Sequence, residues 1–224
     1  MCGRFTLSQS AEIIAKAFDL EKIPAWKPRY NIAPTQAIAT ILIKTDDTQR
    51  QLQMLHWGLI PSWAKDVKMG AKLINARAET LTEKPSFRTA FKKRRCLIIA
   101  DGFYEWKQQD GKKQPFYFKL QDEQPLAFAG LWEHWEGEGE VIESCTILTT
   151  EANHIMQPIH GRMPVILPSK DYDLWLDPTV QKPDLLQPLL VSYSADAMTA
   201  YPVSTRVNKP INDSPECIQE LVAE

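Results

Sequence analysis

The sequence predicts a single α+β domain, with a curved or barrel-like, mostly antiparallel sheet core and a few peripheral helices. Three observations carry that reading. Apolar runs of strand length recur at Leu97–Ala100, Phe116–Leu120, Leu126–Leu131, Cys145–Thr149 and Val165–Leu167. Few stretches carry helical periodicity, and sixteen prolines against nine glycines point to short elements joined by stiff turns. No internal repeat, low-complexity tract or linker divides the 224 residues, which are ample for one core. One domain over residues 2–220 is expected.

In chain order, Ser8–Leu20 reads as a helix. Ser8 or Ser10 can cap it, Glu12 lies in its first turn, and Ile13, Ile14, Ala17 and Phe18 form an apolar face. Pro24, Pro28 and Pro34 then hold Arg29–Pro34 extended or turning. Ala37–Ile43 and Gln51–Trp57 read as paired strands, with Thr45–Thr48 as the connecting turn. Trp57–Trp63, with two indoles around a Gly and a Pro, reads as a structured loop. Phe87–Arg95 reads as a short helix or helix end. Asp110-Gly111 marks a hairpin turn ahead of Phe116–Leu120. Further helices are expected near Asp171–Leu176, Pro183–Leu190 and Pro215–Val222.

Composition excludes several functions. A net charge of −2 gives no global basic field, although a basic face can arise by segregation. The densest basic cluster, Arg88, Lys92, Lys93, Arg94 and Arg95, reads first as a solvated face and second as a phosphate-facing patch. No apolar run approaches the ~20 residues that span a membrane. The start lacks a basic lead followed by an apolar core, so no signal peptide and a cytoplasmic location are expected. Cys2, Cys96, Cys145 and Cys217 are far apart and form no CxxC pair, which predicts neither a metal site nor a disulfide framework. Cys96 and Cys145 adjoin apolar runs and read as core cysteines in a reducing compartment.

Cys2 is different. If Met1 is removed, Cys2 carries an α-amine and a thiol on adjacent carbons. An α-amine titrates near 7.7–8.0, so roughly a quarter are neutral near pH 7.4, against about a tenth of a per cent of lysines. A neutral amine attacks an aldehyde to give a Schiff base, and the thiol can then close a five-membered thiazolidine. That closure is intramolecular and entropically favoured. The same residue also suits an N-terminal nucleophile hydrolase, with the amine as base for its own side chain.

Three other groups can supply partners. Glu105 lies among aromatics in Asp101–Lys107, straight after an apolar strand. Burial at that strand end would suit it to proton transfer, although the segment by itself reads first as a surface glutamate beside half-buried rings. His160, in Pro158–Pro164 at a strand edge, has the most site-like surroundings of the four histidines. Asn75, Arg77 and Glu79 alternate, so in an extended segment they share one side and suit a sugar-phosphate ligand or a solvated edge. No HExxH, GxSxG or P-loop is present.

Taken together, seven blocks resemble one family in order. They are Met1–Phe5, Arg29–Pro34, Trp57–Trp63, Ile74–Glu79, Asp101–Trp106, His160–Pro164 and Pro202–Ser204. This pattern, over about residues 2 to 208, is similar to the SOS response-associated peptidase (SRAP) family. The resemblance implies covalent capture of abasic sites in single-stranded DNA, by a protein that needs no cofactor and acts as a monomer. Cys2 is then the crosslinking residue and Asn75 positions the reacting amine and sugar. Glu105 becomes the proton shuttle and His160 the acid–base group that helps open the sugar and can reverse the adduct. Arg4, Arg77 and Arg162 resemble phosphate contacts, with Thr149 near the same pocket, and Trp63 resembles a base-stacking wedge. Single-stranded DNA calls for this combination of basic groups and aromatic platforms. Weak β-elimination (lyase activity) and self-processing of Met1 are expected alongside.

Two positions depart from the family pattern. Ala64 stands where many members have a second aromatic, and Gly161 where an acidic residue is frequent. The rival readings are a cysteine peptidase with Cys2 as nucleophile and His160 as base, and a non-covalent single-strand binding module. The peptidase has no evident use for Glu105. The binding module predicts salt-labile binding that survives loss of Cys2.

Overall fold

The computed structural model describes residues 2–21, 23–44, 49–109, 111–137 and 139–221. In chain order the first strands are β1 (Phe5–Leu7), β2 (Arg29–Ile32), β3 (Ala37–Leu42), β4 (Gln51–Trp57), β5 (Asn75–Arg77), β6 (Arg95–Ala100) and β7 (Gly102–Gln109). They continue as β8 (Lys112–Leu120), β9 (Leu126–Gly137), β10 (Glu140–Glu151), β11 (Arg162–Pro164), β12 (Ile166–Leu167) and β13 (Met198–Pro202). Between them lie the short helices α1 (Ala11–Phe18), α2 (Arg88–Lys93), α3 (Tyr172–Leu176) and α4 (Pro183–Leu186).

Five strands close on themselves in the order β10-β4-β3-β6-β9 and back to β10. All contacts in this barrel are antiparallel except β10–β4, where Ser144 faces His56 and Cys145 faces Trp57 in parallel register. Closure removes the exposed edges an open sheet would carry. A second, antiparallel sheet runs β13-β8-β7-β1-β2. The expected single-domain α+β architecture with a barrel-like core is therefore observed.

Phe5 joins the two sheets. Its ring, on β1, meets Trp57 of β4 at 5.1 Å and Phe128 of β9 at 5.8 Å, both edge-on. Phe103 of β7 stacks on Phe118 of β8 at 5.2 Å and also touches Phe128. Edge-to-face and offset geometries are the favourable ones for aromatic pairs. This aromatic seam fixes the start of the chain three residues after Cys2.

Helix α1 is shorter than the expected Ser8–Leu20. Ser10 is its N-cap, with Oγ accepting from the Ile13 N–H, and Asp19 ends it in the left-handed region at φ 53°. Ser8 is drawn away to the Asp101 carboxylate. Ile14 and Phe18, four residues apart, bury the apolar face, whereas Ile13 is exposed. The expected turn at Thr45–Thr48, and Asp110 of the next one, lie outside the described residues. The loop after Trp57 is structured as expected. Gly58 takes φ 136°, and a Cβ there would stand 2.7 Å from the Gly70 carbonyl oxygen, so only glycine fits.

The basic run resolves into two structural residues and an exposed remainder. Arg95 is buried in β6 and donates to the carbonyls of Trp175 at 2.6 Å, Phe91 at 2.8 Å, Lys92 at 2.7 Å and Val180 at 2.9 Å, and also to that of Asp177. Its guanidinium lies over the Trp175 ring at 5.7 Å. Burial lowers it to about 10, which leaves it charged at neutral pH. Arg94 pairs with the buried Glu133 at 2.6 Å, and Arg88, Lys92 and Lys93 face outward. An ammonium cannot reach five carbonyls from one point. Arg95→Lys is therefore expected to cost about 2 kcal/mol and to lower Tm by roughly 4–8 °C. An unchanged melting curve would show that the guanidinium does not clamp α2 to the segment after α3.

Over the described residues the last expected helix does not form beyond one 3₁₀ turn at Pro215–Cys217, and Val222 at its expected end lies outside them. Leu221 N–H instead donates to Pro202 O at 2.9 Å, and Glu220 bridges to Val203, so strand-like pairing with the end of β13 prevails. No helix among the described residues is long and apolar enough to cross a membrane.

Candidate active site

The N-terminal segment is held by a buried carboxylate. Asp101, between β6 and β7, accepts from Thr6 Oγ1, from Ser8 Oγ at 2.9 Å and from the Gln9 N–H at 2.8 Å, and also from the Ser8 N–H. Thr6 Oγ1 in turn lies 2.8 Å from the Tyr117 hydroxyl. With the Phe5 seam, this staple delivers Cys2 to a fixed place.

Cys2 is fully buried. Its carbonyl accepts from Asn75 Nδ2 at 2.8 Å, while Asn75 Oδ1, also buried, has no partner among the described residues. Burial and then the Glu105 carboxylate push the Cys2 thiol well above its ordinary range, so it is protonated at neutral pH. Glu105 sits inside β7, opposite Phe116 of β8, rather than at a strand end, and is 3% exposed.

Arg4, Glu105, Trp106, Lys113, His160 and Asn208 line an open cleft of about 450 Å³. Arg4 Nη1 donates to Asn31 Oδ1 and to the Val207 carbonyl, both at 2.8 Å, and its guanidinium lies 5.9 Å from the Trp106 ring centre. Burial lowers its pKa. Asn31 is buried and also donates to the carbonyls of Val207, Lys209 and Asn212, which fixes the cleft's far wall. His160 Nδ1 lies 3.0 Å from the Arg162 N–H and 3.2 Å from the Arg162 carbonyl. The first contact suits the tautomer in which Nδ1 accepts, the second the tautomer in which Nδ1 carries the proton and donates.

Asn75, Arg77 and Glu79 do not form one row. β5 ends at Arg77 and the chain turns into a 3₁₀ helix over Ala78–Thr80. Arg77 is exposed, and Glu79 swings to Arg162. Arg162 donates to both Glu79 oxygens, at 2.7 and 3.0 Å, and to the Thr149 carbonyl at 2.6 Å. Thr149 is buried, so it bears on this corner through Arg162 rather than through an exposed hydroxyl.

Trp63 is 56% exposed on the loop after β4 but is not among the residues lining the cleft. Beside it, Ala64 is buried against Ile60 and Trp135, and its carbonyl accepts from the Trp135 indole at 2.8 Å. Position 64 thus faces this small apolar cluster rather than solvent. A Cβ on Gly161 would meet nothing within 4 Å, so glycine there answers no packing demand.

The structure thus brings Arg4, Glu105 and His160 to one cleft and sets the buried Cys2 against Asn75 and near Glu105, while Arg162 joins Thr149 to the backbone beside His160. Trp106, Lys113, Asn208, Asn31 and Glu79 were not singled out individually as site residues by sequence, save Glu79 through its alternation with Asn75. Asn31 lay in plain view inside the Arg29–Pro34 block. Among the described residues, no group of three or more His, Cys, Asp or Glu side chains can hold a metal ion.

A closed barrel with an added antiparallel sheet, in which Cys2 is buried against an amide and near a buried carboxylate, defines the class to which similarity to known proteins assigns the chain. Residues 1–210 match the family model described as SOS response associated peptidase (SRAP), and the chain belongs to that family. It is 50% identical to the abasic site processing protein YoqW of Bacillus subtilis (strain 168), over 98% of this chain and 99% of the relative. It is 33% identical to the abasic site processing protein HMCES of Xenopus tropicalis, over 99% of this chain and 79% of that one. A crystal structure of a Bacteroides thetaiotaomicron protein matches with a TM-score of 0.86 at 27% identity, covering 99% of this chain and all of the other.

Proposed function

We propose that this protein processes abasic sites in single-stranded DNA by capturing the sugar aldehyde on Cys2 as a thiazolidine. The observation that carries the proposal is the buried position of Cys2, whose carbonyl Asn75 Nδ2 holds at 2.8 Å and whose thiol pKa is raised first by burial and then by the buried Glu105 carboxylate. The relatives' names point to the same lesion.

Removal of Met1 frees the amine. The amine adds to C1′ of the ring-opened deoxyribose, and loss of one water leaves a C=N bond. The thiol sulfur then bonds to C1′, and the thiol proton ends on nitrogen. The ring contains N, Cα, Cβ, S and C1′, and the net change is loss of one water. Because the thiol arrives protonated, a neighbour must take its proton as the C–S bond forms. Glu105 is that neighbour, and it returns the proton to nitrogen. Asn75 keeps the amine and sugar in reacting geometry. His160, anchored through Nδ1, exchanges a proton with the sugar ring oxygen during opening. The C=N stage acidifies the C2′ hydrogens, so slow β-elimination accompanies capture. Arg4, Arg77 and Arg162 meet phosphates and Trp63 stacks on a base.

A buried, protonated thiol favours the amine as first nucleophile over the thiolate that a Cys/His peptidase requires. The test is a denaturing gel after incubation with single-stranded DNA carrying one abasic site. The wild type is expected to give a shifted band that resists denaturation, and Cys2→Ala none, while both still bind in low salt. An adduct of equal yield from Cys2→Ala would defeat the proposal.

A further inference from the structure

The fork between Glu79 and Arg162 is not used by the chemistry above, and a phosphate gains a two-pronged grip on Arg162 only by displacing Glu79. Both terminal nitrogens are committed. Nη1 and Nη2 hold the two Glu79 oxygens, and Nη2 also holds the Thr149 carbonyl. Nε is buried and has no acceptor among the described residues, so no ligand reaches it without rearrangement. A guanidinium has five N–H groups, and a bidentate grip on phosphate uses two neighbouring ones. The pair available here is occupied by a carboxylate whose geometry imitates a phosphate.

Glu79 is the yielding partner. Its side chain is 48% exposed against 18% for Arg162. It sits on a 3₁₀ turn rather than in the sheet, whereas Arg162 lies in β11, paired to β10. A hollow of about 200 Å³, lined by Ala78, Glu79, Thr150, Gln187 and Leu190, gives the carboxylate somewhere to go. The hydrogen bonds from Arg162 also keep Glu79 below the usual carboxylate range, so it is charged at neutral pH.

We propose that Glu79 is a specificity-determining residue that occupies Arg162 as a phosphate surrogate and thereby weakens the grip on undamaged single strands. The inference rests on the reading of the site as a binder of single-stranded DNA. Any strand must break a charge-assisted fork to win Arg162, so non-covalent affinity is held low. A strand with an aldehyde is retained by the covalent bond instead. An intact strand dissociates. Selection for the lesion then comes from the difference between a weak reversible step and a durable one.

The experiment is fluorescence anisotropy with an intact, undamaged single-stranded oligonucleotide, across a salt series, for the wild type, E79Q, R162Q and the double variant. E79Q is expected to bind about three- to tenfold tighter at about 50 mM salt, with a log–log salt slope steeper by about 0.7, the increment for one more phosphate contact on a single strand. The gain must vanish when R162Q is also present. Circular dichroism melting of each variant shows whether it is folded. Equal or weaker binding by folded E79Q, or a gain that persists in the double variant, would overturn the inference, because the first removes the brake and the second shows only a general loss of negative charge. Binding by none of the four would overturn it as well. Adduct formation by the wild type on abasic DNA reports separately on the underlying reading.

Discussion

Glu105→Gln is expected to slow adduct formation on abasic single-stranded DNA by about a hundredfold or more, the usual worth of a positioned proton-transfer group. The substitution preserves shape inside β7, so binding of intact DNA should change little. The reason is specific to this site. Burial first and the Glu105 carboxylate second raise the pKa of the Cys2 thiol, so on the proposed mechanism Glu105 is the group that takes its proton. Single-turnover kinetics on a denaturing gel would read the loss directly. A rate within about twofold of the wild type would mean that ring closure draws on another base.

Asp101→Ala is expected to have the largest effect on stability, about 3 kcal/mol, lowering Tm by roughly 6–12 °C. The carboxylate accepts from Thr6, Ser8 and Gln9, and its removal leaves several donors unanswered in a buried setting. The damage should spread to the chemistry. β1 is only three residues long and depends on β2 and β7 for its place, and Cys2 is delivered by it. Adduct formation by the folded fraction should therefore slow as well. A melting temperature within about 2 °C of the wild type, below the change expected for 1 kcal/mol in a chain of this length, would show that the Phe5 seam alone positions the segment.

The barrel was legible wherever a strand is buried along its length. β6, β9 and β10 announce themselves as apolar runs, and β3 with β4 as two strand-length segments joined across a polar turn. β1 and β13 were not legible. β1 offers three residues, and β13 carries Thr199 and Pro202 on a half-buried edge, so neither has a pattern apart from its partners. The C-terminal segment has a helical composition, but backbone pairing with Pro202 and Val203 prevails.

The site divides the same way. Cys2 stands out chemically at the start of the chain, whereas the segment around Glu105 read first as a surface glutamate, and only the pairing of β7 with β8 reveals its burial. The fork between Glu79 and Arg162 could not be foreseen, because it joins residues 83 positions apart and depends on β5 ending at Arg77. Arg95 misled for a related reason. A run of five basic residues within eight reads as a wet surface, yet one of them points inward to carbonyls from α2 and from the segment around and after α3. Local composition gives charge but not direction.

The central claim is that Cys2 becomes the N-terminus and closes a ring on an aldehyde. Intact mass spectrometry tests it most directly, first on the purified protein and then after incubation with single-stranded DNA carrying one abasic site. The expected result is a protein lacking Met1, then a denaturation-resistant species lighter by one water than the sum of its partners. Retention of Met1, or recovery of only the two separate masses, would contradict it and leave a reversible single-strand binder.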